Sequence, residues 1–197
     1  MRCPAAVRTP RIYALVALVE LVGCGDPGAR KSSPQASATP GADSTAAPAI
    51  GCAGPAPAAV DAQAEQEVLE LVNAERRQHA LAELRAAPPL ADAARLHARD
   101  MANDDYVDHD SFDRSEGRLT KTCEWSERVL RFVPDEHQLA ENIAAGASTP
   151  QEVVEGWMRS PGHRRNVLGT AFTELGVGYW PGGNAGFYWV ADFAGGQ

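Results

Sequence analysis

Four cysteines in a chain of 197 residues are too few to frame a small disulfide-stapled fold. No apolar stretch reaches the ~18–20 residues that a membrane-crossing helix needs. Basic residues are scarce, with 18 Lys and Arg against 26 Asp and Glu and a formal net charge of -8. Without a basic stripe the chain is no nucleic-acid binder, because neutralising phosphates takes clustered cations. Local signatures of chemistry are missing as well: no H-E-x-x-H, no C-x-x-C, no G-x-S-x-G and no glycine-rich phosphate loop. Any site must be assembled from distant segments. The length allows one ordinary domain, or one domain and a tail.

What is present begins with an address. Residues 1–23 read as an export signal of the lipoprotein type. Arg2, Arg8 and Arg11 give a basic start, and Ile12 to Val22 is an apolar run interrupted by Glu20. The run ends in Leu21-Val22-Gly23-Cys24, which resembles a lipobox, with Cys24 lipidated after cleavage in front of it; a plain secretory signal is the alternative. Residues 24–60 are Ala, Pro, Ser, Thr and Gly with almost no large apolar residue. They read as a disordered tether, because such a segment buries too little to offset its ordering entropy. Cleavage removes Cys3 and the lipid takes Cys24, leaving Cys52 and Cys123 with one possible pairing in an oxidising compartment. Loss of Arg2, Arg8, Arg11 and Glu20 leaves 15 basic against 25 acidic side chains, or -10. An anionic bilayer repels such a body, so membrane attachment is expected through the lipid anchor only. The expected location is the cell envelope, lipid-anchored, or the medium after secretion.

From Asp61 the pattern is that of a folded domain, residues 61–197. Val68, Leu69, Leu71 and Val72 recur at helical spacing, predicting an amphipathic helix over Ala64–His79. Pro88-Pro89 opens a second helix with Leu90, Ala93, Ala94, Leu96, His97 and Met101 on its face. Residues 103–140 look polar and irregular, with Cys123 as a tie-point. Thr149-Pro150-Gln151-Glu152 reads as a capping box opening a third helix, with Val153, Val154, Trp157 and Met158 on its apolar side. Ser160-Pro161-Gly162 stops it, and a short helix is predicted from His163 to Leu168. Glu174–Trp180 and Gly186–Phe193, joined by Pro181-Gly182-Gly183-Asn184, predict a β-hairpin. Helices followed by an antiparallel hairpin indicate an α+β domain, a small antiparallel sheet flanked by helices.

The polar candidates for chemistry are His97, His109, Glu141, Glu155 and His163. His97 lies mid-helix on an apolar face, as a structural histidine does. Glu155 has Arg159 four residues on, as in a solvated surface pair. His109 has acidic neighbours, which favour the protonated ring. Glu141 lies in the short apolar run Leu139-Ala140-Glu141-Asn142-Ile143, where burial demands a partner. His163 follows Pro161-Gly162 and faces either a cleft or a turn.

Taken in order, six segments resemble the CAP superfamily (cysteine-rich secretory, antigen 5 and pathogenesis-related proteins), especially its bacterial SCP-like branch. They are Leu71-Val72-Asn73-x-x-Arg76, His97 to Ala102, Tyr106-x-x-His109-x-Ser111, Ala140 to Ala144, Thr149 through Leu168, and Glu174 to Tyr179 with Tyr188 to Phe193. The resemblance implies an α-β-α sandwich and an extracellular location. It also implies a cleft in which two His and two Glu hold a divalent cation such as zinc. His109, Glu141 and His163 match three of those places, and the fourth is Ser160. Ala140 replaces the glycine usual before the first Glu, and one Cys52–Cys123 bridge stands in for the family's larger set. Two imidazoles and a carboxylate suit zinc with a water in the fourth position. Three functions follow as expectations. The first is a non-enzymatic binding module, expected to be a monomer, for a small lipid-like, peptide or protein ligand. The second is a metal-dependent hydrolase of envelope or peptide substrates, and the third a structural domain with no active cleft.

Overall fold

The computed structural model describes Cys52 and residues 54–196. The export signal, Cys24 and most of the tether lie outside the described residues. The remainder forms eleven elements. They are α1 (Ala62–Gln78), β1 (Arg85–Ala86), α2 (Pro88–Asp104), β2 (Ser111–Ser115), β3 (Arg118–Cys123), α3 (Trp125–Leu130), β4 (Gln138–Ala145), α4 (Pro150–Arg159), α5 (Pro161–Val167), β5 (Glu174–Gly182) and β6 (Gly186–Gly195). One sheet has the order β1-β5-β6-β4, antiparallel except for β1 against β5, and β2 and β3 form a separate hairpin.

Strand alternation sorts the side chains into two layers. Leu175 and Val177 of β5 and Trp189, Ala191 and Phe193 of β6 pack against Val68 and Val72 of α1, Trp157 of α4 and Val167 of α5. The alternate residues Tyr188 and Val190, with Ile143 of β4, pack against Ala94, Ala98 and Met101 of α2. The result is the α-β-α sandwich. Each large apolar side chain buried in these layers contributes about 1.5–3 kcal/mol. Gly176 and Gly178 lie under α2 for a steric reason. A Cβ at Gly176 would fall 2.1 Å from the Ala91 nitrogen, and one at Gly178 would fall 2.3 Å from the Arg95 nitrogen. Glycine is required there by the closeness of the helix.

The helix starts follow from local chemistry. Asp61 caps α1, accepting from the Ala64 amide at 2.9 Å. Thr149 caps α4 by accepting from the Glu152 amide at 3.2 Å. The reciprocal half of the expected capping box is redirected: Glu152 accepts from the amide and hydroxyl of Ser148, one residue before the cap. The Asn73-x-x-Arg76 pair of α1 is buried and works as a clamp. Asn73 bonds both the amide and the carbonyl of Leu84. Arg76 donates to the carbonyls of Ala82, Val167 and Gly169 at 2.7–2.8 Å, tying α1 to the end of α5.

The expectation of an irregular stretch over 103–140 is corrected. That stretch holds the β2–β3 hairpin, α3 and the start of β4. The hairpin turns at Glu116-Gly117, both with positive φ. Its exposed, charged strands carry no clean alternation of apolar and polar residues. The Cys52–Cys123 disulfide is formed, with a Cα–Cα distance of 5.5 Å across a separation of 71 residues. No helix among the described residues is long and apolar enough to cross a membrane.

Candidate functional site

Glu141 lies in β4 with its side chain directed to the α2 side of the sheet, almost wholly buried. Isolating a carboxylate there is costly, so partners converge on it. His109, just before β2, donates from Nδ1 to Glu141 Oε1 at 2.8 Å. Arg128, fully buried in α3, donates to Glu141 Oε2 at 2.5 Å. The same guanidinium donates to the His109 carbonyl at 3.1 and 3.2 Å and to Ser111 Oγ at 2.8 Å. Arg128 therefore fixes both the carboxylate and the backbone of the histidine that it holds. Burial alone would raise the Glu141 pKa, but the charge of Arg128 and the histidines hold it at about 2. Burial pulls the His109 pKa down. Its bond to Glu141 and that residue's charge outweigh this, and the net shift is upward from 6.5. A carboxylate only accepts, so Nδ1 carries the hydrogen and Nε2 is the free nitrogen of the neutral ring.

His163 is the third residue of α5, which starts at Pro161 and not at His163 as expected, and is half-buried. Its carbonyl accepts from Asn142 Nδ2 at 3.1 Å. Asn166, one turn on, donates to the Glu141 carbonyl at 3.2 Å and to Asn142 Oδ1 at 2.8 Å. These bonds fasten α5 along the outer edge of β4 beside Glu141. Trp157 Nε1 covers a further edge carbonyl, that of Ile143, at 3.2 Å, so the edge is closed to a pairing strand. Burial lowers the His163 pKa, and the charge of His109 lowers it further, so the ring is neutral near pH 7.

The structure thus joins His109 directly to Glu141 and places His163 on the neighbouring helix. It does not draw the three into a closed ligand cage. The one group of three or more His, Cys, Asp or Glu among the described residues with ligand atoms within 4.8 Å of one another is Cys52, Cys123 and Glu127. The two sulfurs there are in the disulfide. Ser160, at the place of the fourth ligand, is buried at the junction of α4 and α5. Glu155 is exposed, 3.5 Å from Arg159, with Gln151 as a second partner. His97 is fully buried and donates from Nε2 to the Asp108 carbonyl at 2.8 Å, and burial depresses its pKa to about 3.

Two residues that sequence reasoning missed complete the cluster. Arg128 is the counter-charge. Asp192 faces Glu141 in the β4–β6 register and is fully buried, and no donor reaches either of its oxygens. Burial and the Glu141 charge push its pKa well above the ordinary carboxylate range. Two facing buried carboxyls do not both ionise. Asp192 holds the proton, because Arg128 and His109 bond Glu141 and not Asp192. The motif Tyr188-Trp189-Val190-x-Asp192-Phe193 already contained it, as an acid in an otherwise apolar strand.

The match to known proteins covers this whole region. The model of the family described as CAP, the cysteine-rich secretory protein family, matches residues 69–193. The Bacillus subtilis protein YkwD is 38% identical over 148 residues, which is 71% of this chain and 50% of that protein. An extracellular protein containing a SCP domain from Bacillus anthracis is 32% identical with a TM-score of 0.56, covering 67% of this chain and 40% of that one. An outer surface protein of Borrelia burgdorferi has the same fold at 16% identity, with a TM-score of 0.58 over 70% of this chain and 97% of its own. The chain spans about half the length of YkwD and less of the Bacillus anthracis chain. By its sequence match and its sandwich fold, the chain belongs to the CAP family of cysteine-rich secretory proteins.

Proposed function

We propose that this protein is an exported binding module of the cell envelope whose recognition element is the two-histidine face of His109 and His163. The observation that carries the reading is the double engagement of Glu141, by His109 Nδ1 on one oxygen and Arg128 on the other. That arrangement makes Glu141 an orienting group. It fixes the His109 tautomer and leaves Nε2 free, as a carboxylate behind a metal-bound histidine does. A buried guanidinium 2.5 Å from the carboxylate disfavours a cation on Glu141 itself. The donor set therefore fits a divalent cation as two neutral imidazoles, His109 Nε2 and the ring of His163, with the remaining positions left to the ligand or to water. A bound cation would supply a Lewis-acid anchor for an oxygen- or nitrogen-bearing ligand.

Binding is favoured over hydrolysis because the carboxylate nearest the histidines is held at about 2 and both its oxygens are engaged. It is a poor general base at neutral pH. The extracellular protein from Bacillus anthracis and the outer surface protein from Borrelia burgdorferi support the exported location. The Leu21-Val22-Gly23-Cys24 ending supports anchoring by lipid at Cys24.

Zinc titration of the chelator-free protein tests the site. His109→Ala and His163→Ala are each expected to weaken binding strongly, and Glu155→Ala to leave it unchanged. Affinity should fall as pH drops through the His109 pKa, above 6.5, because a protonated ring cannot ligate. Zinc binding that survives loss of both histidines refutes the site. No zinc binding at all leaves the cluster a structural network. Fractionation of Cys24→Ser beside wild type tests the anchor, and equal release of both into the soluble fraction rules it out.

A further inference from the structure

On an acidic chain, four of the nine exposed arginines and lysines among the described residues are neutralised by carboxylates. Arg77 pairs with Glu83, Arg85 with Glu174, Arg159 with Glu155, and Lys121 with Asp110 and Glu124. Of the five without a carboxylate partner, Arg114 and Arg131 bond backbone carbonyls and Arg118 lies alone at the β2–β3 turn, whereas Arg164 and Arg165 are adjacent on α5. Among the described residues neither has a carboxylate oxygen within 4.0 Å, and both are exposed. They line an open groove of about 420 Å³ together with Pro161 and Leu168. Arg164 NH2 donates to His79 Nε2 at 3.0 Å, while His79 Nδ1 is bonded to the Glu75 carbonyl. This contact orients one guanidinium without neutralising it. The Arg165 guanidinium folds back over Gly162, where a Cβ would sit 4.0 Å from its NH2. The helix beneath is rigidly founded, by Asn142 and Asn166 on β4 and by Arg76 at the Val167 and Gly169 carbonyls.

We infer that this groove is an oxyanion site, taking a phosphate group between Arg164 and Arg165, with Pro161 and Leu168 receiving the carbon skeleton that bears it. Two guanidiniums free of carboxylates are the donors that match a tetrahedral, multiply charged acceptor, and each offers paired N–H groups. Two adjacent guanidiniums line this one groove, whereas the other exposed arginines without carboxylate partners stand singly. The site adjoins His163, so a ligand bridging both would present its phosphate to α5 and a second polar group to the imidazoles. That bridging rests on the binding-module reading, whereas the oxyanion site itself does not. The phosphate could belong to a soluble ester or to a lipid headgroup, and the chemistry recognised is the same.

The test titrates inorganic phosphate into the full chain, follows the backbone amides of residues 162–168 by NMR, and repeats the measurement with Arg164→Gln/Arg165→Gln. A loss of about tenfold or more in affinity is expected, the scale of one charge-assisted bond. The charge-matched control Arg85→Gln/Arg118→Gln, on exposed positions elsewhere, should change affinity by less than about twofold. A second arm sediments the protein with phosphatidylcholine vesicles, with and without phosphatidylglycerol. Arginine-dependent binding confined to phosphatidylglycerol vesicles identifies a headgroup as the source, and arginine-dependent binding of phosphate alone identifies a soluble ester. Equal losses in the two double variants, or none in Arg164→Gln/Arg165→Gln, overturn the proposal. The two-histidine face is read separately by zinc, so His109→Ala/His163→Ala should leave the phosphate shifts in place. Failure of one reading is thereby distinguished from failure of the other.

Discussion

Replacing Arg128 by Met keeps the apolar stem of the side chain and removes four hydrogen bonds: two to the His109 carbonyl, one to Ser111 Oγ and one to Glu141 Oε2. The guanidinium is fully buried and Glu141 nearly so, so water does not replace the lost partner. Breaking one side of such a buried pair costs about 3–5 kcal/mol, mostly from the uncompensated charge left behind. For a domain of this size that corresponds to about 10–20 °C in Tm. The pH dependence gives the sharper test. In the wild type, the depressed Glu141 pKa contributes stability that is present above the unfolded value of 4.5 and is lost as pH falls towards about 2. In Arg128→Met, burial and the facing Asp192 are left to raise that pKa. The penalty should then be largest at neutral pH and shrink as pH falls towards 4.5, where Glu141 takes up its proton. Urea denaturation at several pH values measures this. Arg128→Met/Glu141→Leu should be less destabilised than Arg128→Met alone, because it leaves no orphaned charge. A loss under about 1 kcal/mol for Arg128→Met, or one independent of pH, would refute the assignment of Arg128 as the counter-charge.

Asp192→Asn removes a carboxyl whose raised pKa costs stability progressively as pH climbs from 3.8 towards its folded value. The variant should therefore gain on the wild type between pH 4.5 and 7, and a stability difference that does not change with pH would show that Asp192 is not the proton holder. Gly178→Ala drives a Cβ to 2.3 Å from the α2 backbone and should cost about 3 kcal/mol or more in chemical denaturation, against less than about 1 kcal/mol for Gly156→Ala, where a Cβ meets only the tip of the Arg159 side chain at 3.9 Å. Cys123→Ser opens the 71-residue loop closed by the disulfide and should lower stability by up to about 4 kcal/mol; peptide mapping without reductant should show the Cys52–Cys123 cross-link in the exported protein. Thr149→Ala removes the cap bond to Glu152 and should lower the denaturation midpoint by an amount worth about 1 kcal/mol.

The parts of the fold legible in the sequence are those whose signal is local. Pro88-Pro89, Thr149-Pro150 and Ser160-Pro161 punctuate helices because proline fixes the first turn, and all three mark observed helix starts or ends. The terminal hairpin is legible because its strands alternate around Gly182-Gly183, both with positive φ. Arg118–Cys123 and Ser111–Ser115 pair as strands although most of their residues are polar or charged. Their pairing is decided by the two-residue turn and by the disulfide at the end of β3, and neither leaves a hydrophobic period. Two-residue β1 exists only because the Arg85 and Ala87 amides find the carbonyls of Thr173 and Leu175, nearly ninety positions along the chain.

The site divides along the same line. His109, Glu141 and His163 are recognisable from ordered resemblance, and the Glu155–Arg159 pair follows from helical spacing alone. Arg128 is not recognisable in this way, because nothing in its own segment marks it as buried; Asp192 stands in an apolar strand that signals burial, but that it faces Glu141 is set only by the β4–β6 register. Arg128 sits among Glu127, Glu124 and Arg131, where it reads as one more surface charge. Its burial comes from α3 being held against the start of β2, where it reaches Ser111 and the His109 carbonyl. Once Arg128 is in place, Glu141 must be ionised. Once Glu141 is ionised, Asp192 must be neutral and the proton of His109 must sit on Nδ1. Each state follows from the preceding one through contacts between residues 13 to 51 positions apart. The protonation of the cluster is thus set by a charge balance that belongs to the folded chain, and the residues that fix the state of His109, namely Arg128, Glu141 and Asp192, are themselves buried.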